Sequence, residues 1–182
     1  MEDFNKFLKK LQEKERQEVE QKSEFNPEER IAYFQNLVNQ FFNTLESDWF
    51  GEYVSKELMS IEKGKCLITE ETLGQYYTDK CKLKLGGEII EFIPVGTLLL
   101  GTDARIDMIY KQTKVMFIHV GENIKGASDL IVIRVNGETI SKKKDPGQKV
   151  WKFIYKNSRE LYMDANKESV LRLIMDVINE KA

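Results

Sequence analysis

Residues 85–120 constrain this chain most. Short apolar runs at 89–95, 97–100, 104–110 and 114–120 follow one another, divided by Gly86-Gly87, Gly96, Gly101 and a polar break at Lys111-Gln112. Each run has the length of a strand and is too short for a packed helix. No helix-length insert separates them, so the expected connection is the antiparallel hairpin and not the parallel crossover. Further strands are expected near Leu67-Ile68, at Leu83 and Leu85, at 130–135, near Ile140, at 150–155 and at 160–163. Asn136-Gly137 and Asp145-Pro146-Gly147 read as turns. Pro94 cannot donate to a sheet ladder and should mark an edge or a bulge.

Two helices flank this region. Asn26-Pro27-Glu28-Glu29 is a helix start: Asn26 accepts from an orphan amide, Pro27 fits the first turn, and Glu29 reaches back to the cap. Ile31, Phe34, Leu37, Val38, Phe41, Phe42, Leu45 and Trp49 follow at helical spacing. A second helical piece is expected from Tyr53 to Ile61, ended by Glu62-Lys63-Gly64-Lys65. At the other end Asn166 is a cap for an apolar face of Val170, Leu171, Leu173, Ile174, Val177 and Ile178. Before all of this, Phe4, Phe7, Leu8 and Leu11 make a short stripe on an otherwise charged segment. The reading therefore divides the chain into a helical arm at 1–25 and an α+β domain at 26–182. Within that domain, helices occupy 26–61, the sheet 66–163 and a last helix 166–180. The fold class expected is α+β: N-terminal helices, an antiparallel meander of about seven strands and a C-terminal helix, with helices on one face or one end of the sheet. Strands followed by a C-terminal helix is similar to the order of pleckstrin-homology-like domains, a likeness that carries no ligand.

Charge narrows the partners. Lys and Arg number 28 and Asp and Glu 30, a net charge of −2. That balance gives no general attraction to nucleic acid or to anionic membrane. No run approaches the ~20 apolar residues of a membrane span. With two cysteines, Cys66 and Cys81, the chain reads as a reduced, cytoplasmic protein.

Three groups of residues bear on chemistry. Arg105-Ile106-Asp107-Met108-Ile109-Tyr110 followed by 114–121 resembles the central hairpin of the PD-(D/E)xK nuclease superfamily. The resemblance implies a divalent metal held by acidic groups on adjacent strands, with Asp107 at the aspartate position. His119 stands where the second acid belongs and Gly121 where the lysine belongs, so the implied metal site is broken. Arg105, Asp107 and His119 remain the catalytic candidates, as a hydrolase acting on nucleic acid. Cys81, between Lys80 and Lys82, would have a lowered pKa if exposed. The third group is basic: Lys142, Lys143, Lys144 and Lys149 are the ligand-binding candidates, near a strand in which Lys152 and Lys156 alternate with Trp151, Phe153 and Tyr155. Alternation is expected to place lysines and aromatics on opposite faces, giving a hairpin for phosphate or phospholipid.

None of these sets is complete. No zinc-ligand spacing and no phosphate-loop motif is present, and no cofactor or metal is expected. The function expected first is therefore a small bacterial, cytoplasmic, non-enzymatic interaction module. An adaptor, an immunity-type inhibitor or a defence accessory protein would fit, with another protein as partner and homo-oligomers from an exposed edge strand.

Overall fold

The computed structural model describes residues 6, 26–97, 102–130, 134–135, 138–139, 145–155 and 161–179. The expected arm at 1–25 lies outside them apart from Lys6, as do the Asn136-Gly137 turn, Ile140 and Lys142 to Lys144.

The described chain is α+β, as expected. Helix α1 spans Pro27–Thr44, continues as a π-helical turn over Leu45–Trp49, and is followed by the short α2 at Gly51–Ser55. Nine strands follow: β1 Met59–Glu70, β2 Gly74–Leu85, β3 Glu88–Gly96, β4 Ala104–Tyr110, β5 Thr113–Gly121, β6 Arg134–Val135, β7 Glu138–Thr139, β8 Lys149–Ile154 and β9 Met163–Asp164. The last element is helix α3, Lys167–Asn179. Seven strands form one sheet in the order β1-β2-β3-β4-β5-β8-β9, every neighbouring pair antiparallel, while β6 and β7 pair separately.

The caps are those the sequence specifies. Asn26 Oδ1 accepts from the Glu28 and Glu29 amides at 3.1 and 3.3 Å, and Glu29 returns to the Asn26 side-chain amide at 2.9 Å. Asn166 accepts from the Ser169 amide at 3.0 Å while Ser169 Oγ accepts from the Asn166 amide at 3.0 Å, a capping box closed by serine. Both helices bury their apolar stripes on one face of the sheet. Phe34, Leu37, Phe41 and Phe42 of α1 and Val170, Leu173 and Val177 of α3 share a core with Leu83, Ile90, Phe92, Ile106, Met108, Phe117 and Phe153. A second, smaller cluster of Ile118, Val120 and Ile124 sits on the opposite face. The second half of β5 is thus covered on both sides, which explains its unbroken apolar run.

The structure departs from the sequence reading at three places. Residues 59–65 are not helix and turn but the first half of β1, which starts at Met59 and not near residue 66. Glu57 has a φ of 56°, which stops the helical path, and Met59 and Ile61 then point inward at period two. Leu130 belongs to a 3₁₀ turn at Ala127–Leu130, so only Arg134–Val135 of the expected 130–135 run is described as strand. Thr97 is a bend just past β3, and the remainder of the expected 97–100 strand lies outside the described residues. Pro94 does mark a bulge: the β3–β4 register shifts between Pro94 and Gly96.

The cysteines are free thiols. Burial pushes the Cys81 thiol up to about 11 despite the nearby Lys63, and burial also raises Cys66. The flanking lysines do not lower Cys81, because it is buried in the core. Native protein at pH 8 is expected to leave Cys81 unmodified by a thiol reagent and to expose both thiols on denaturation; fast labelling of native Cys81 would contradict its place in the core.

Candidate functional site: an aromatic cleft beside His119

The antiparallel register separates His119 from the other two candidate catalytic side chains, Arg105 and Asp107. Tyr110 pairs with Thr113 across a two-residue turn, so Asp107 lies opposite Met116 while His119 lies opposite Ala104. Direct partners share a face and neighbours alternate. Asp107 therefore faces away from the helices, and His119 faces toward them. Asp107 is buried and saturated: Arg105 Nε and Nη2 donate to its two oxygens at 2.6 and 2.8 Å, and Lys114 Nζ lies 3.6 Å away. A bidentate pair of this kind fixes two side chains on a strand. Arg105 and Asp107 accordingly form a structural clamp on the far face.

His119 has different company. Its Nδ1 lies 3.3 Å from Asp103 Oδ2, and its ring centroid lies 5.3 Å from that of Trp151, its cross-strand partner on β8. Lys149 Nζ lies 3.0 Å from both Asp103 oxygens, and the Tyr33 hydroxyl reaches the same carboxylate at 3.5 Å. Because a carboxylate only accepts, the proton on the Asp103 side belongs to Nδ1, which leaves Nε2 as an acceptor. Burial depresses the proton affinity of His119, with Asp103 opposing and Lys149 adding to the shift. Histidine ordinarily titrates near 6.5. As pH falls through that value the unfolded chain takes up a proton that the folded chain resists, so stability should fall. Denaturation midpoints at pH 7.5 and 5.5 should differ more for the wild type than for His119→Phe; equal differences would refute this origin.

His119 also lines a cleft of about 460 Å³. Its walls come from distant parts of the chain: Phe41 on α1, Trp49 on the π-helical turn, Trp151 on β8, and the carboxylates Glu122 and Asp164. Gln40, Thr44 and Lys149 complete the mouth. The wide turn explains why Trp49 is there. The Phe50 amide bonds to the Leu45 carbonyl at 3.0 Å, five residues back, so Leu45, Trp49 and Phe50 are all buried.

Lys149 lies on the same face as the aromatics, not opposite them, because it shares parity with Trp151 and Phe153. Among the described lysines of this segment, only Lys152 faces the other way. It is 0% exposed, donates to the Glu122 carbonyl at 2.8 Å and pairs with Asp164 Oδ1 at 2.8 Å. Lys152 is buried, Lys149 is exposed and paired with Asp103, and Lys142 to Lys144 lie outside the described residues.

Sequence reasoning singled out His119 and Lys149 but missed the cleft. Trp151 carried a signal, since it shares parity with Lys149. Trp49 read only as the end of an apolar helix face, and nothing in the spacing marked Asp103, Glu122 or Asp164. Among the described residues no three acidic, histidine or cysteine side chains are grouped to hold a metal, and no helix is long and apolar enough to cross a membrane. No known protein family, curated protein or solved structure matches this chain.

Proposed function

We propose that this chain is a non-enzymatic, cytoplasmic interaction module, of adaptor, immunity-type or defence-accessory kind, that engages another protein through the cleft beside His119. The observation that carries this reading is the convergence of Trp49, Trp151, Phe41 and His119 on one open cavity with a polar mouth. Tryptophan at the centre and charge at the rim is the make-up of protein-binding hot spots. The hydrolase alternative needs Asp107 and His119 to act together, and the register sets them on opposite faces.

The test is comparative affinity capture. Wild-type chain should retain one stoichiometric partner from native lysate, and Gln40→Arg, which fills the mouth without touching the core, should lose it. Equal recovery, or no stoichiometric partner, refutes the proposal. Metal-dependent nuclease turnover that disappears in Asp107→Ala would refute it as well.

A further inference from the structure

Among the described residues, the charges around the cleft cancel, with one exception. Lys149 is held by both oxygens of Asp103, and Lys152 is held by Asp164. His119 offers Nε2 as an acceptor while its Nδ1–H donates to Asp103. The remaining group is Glu122. Its carboxylate accepts the Gln148 amide at 3.4 Å, and no lysine or arginine among the described residues pairs with it. The cleft thus combines indole surfaces, one carboxylate without a cation and an imidazole acceptor.

An anion would meet lysines whose charge Asp103 and Asp164 already offset. A cation would meet a carboxylate that no described lysine or arginine offsets. Aromatic faces attract cations, and a planar guanidinium can stack on indole while giving two parallel hydrogen bonds to a carboxylate. We infer that the cleft seats an arginine side chain presented by a segment of a protein partner, with the guanidinium against Trp151 and its N–H groups directed to Glu122. This rests on the interaction-module reading and specifies the partner's chemistry. The volume of about 460 Å³ exceeds what one side chain fills, so flanking backbone is part of the occupant.

The chain has two tryptophans, and both line the cleft, so its intrinsic emission reports on this site. Titration with a capped Gly-Arg-Gly tripeptide should change that emission saturably. The citrulline counterpart, which keeps the shape and lacks the charge, should bind at least about tenfold more weakly, the scale of one charge-assisted hydrogen bond. Glu122→Gln should weaken the arginine peptide by a similar factor and leave the unliganded spectrum unchanged. Methylguanidine alone should bind more weakly than the tripeptide. No saturable change, equal binding of the citrulline peptide, indifference to Glu122→Gln, or methylguanidine matching the tripeptide would each overturn the inference. If partner capture persists while the tripeptide fails, arginine recognition alone is lost. If the tripeptide binds while no partner is captured, the interaction-module reading is what fails.

Discussion

Phe41→Ala should destabilise the protein by about 3–5 kcal/mol, the range for removing a large buried aromatic. Phe41 is 1% exposed, and its ring meets five others. Centroid distances are 4.8 Å to Trp151, 5.4 Å to Phe117, 5.6 Å to Trp49, 5.8 Å to Phe42 and 6.1 Å to Phe92. These partners come from α1 itself, the π-helical turn, β3, β5 and β8, so one side chain joins the helix layer to the middle of the sheet. Truncation leaves a void that cannot close without moving several elements, and aromatic pair contacts are lost in addition to buried area. Chemical denaturation followed by tryptophan emission measures the loss. Both tryptophans touch the altered site, so the native emission should shift too. Phe41→Leu, which refills most of the space, should recover much of the stability. A loss under about 1 kcal/mol for the alanine variant would mean that the ring is not enclosed as described.

How far the sequence revealed this arrangement depended on how regular each segment is. The helices were legible because their caps and 3.6-residue stripes agree, at Asn26 and again at Asn166. Strands β3 to β5 were legible from turns and alternation, down to the bulge at Pro94. The β1–β2 hairpin was legible only in pieces, at Leu67-Ile68 and at Leu83 and Leu85. Its inward residues change parity: Met59 and Ile61 give way to Cys66 and Ile68 along β1, and Leu83 and Cys81 to Thr78 and Tyr76 along β2. A search for strict alternation sees no buried face in such a ribbon. Before Cys81, β2 does not pair with β3, and this N-terminal half packs on α1, where Tyr76 meets Phe34 edge-on at 6.1 Å and Gln35 donates to the Tyr77 carbonyl at 2.7 Å. That tertiary contact decides which residues are buried. The separation of Asp107 from His119 was readable in principle. A two-residue turn at Lys111-Gln112 fixes odd positions of β4 opposite even positions of β5, and Lys111 does adopt a φ of 52° there. The cleft was not readable, because it depends on a π-helical turn and on strands that meet only through the sheet order.

Gly121→Ala should cost about 3 kcal/mol or more, at or beyond the upper end of overpacking effects. Gly121 ends β5, is buried and pairs with Lys149. A Cβ there would lie 2.1 Å from the Pro146 carbonyl oxygen and 2.5 Å from Pro146 Cβ. Its backbone is not left-handed, so the penalty is steric and not conformational. Relief requires moving the 145–148 turn, and that turn is tied down. The Asn123 amide donates to the Pro146 carbonyl at 3.2 Å, and the Glu122 amide donates to the Gln148 carbonyl at 2.7 Å. The turn leads directly into Lys149 and Trp151, so displacement should alter the cleft as well as the stability. Gly87→Ala is the control: its added Cβ meets nothing within 4 Å, and the change should stay within about 0.5 kcal/mol. Denaturation midpoints of the two variants against wild type check the contrast, and Gly121→Ala should also reduce binding of the arginine tripeptide. If Gly121→Ala proves as benign as Gly87→Ala, β5 does not pack against the Pro146 turn, and the wall of the cleft that carries Glu122 and Lys149 is not built as described.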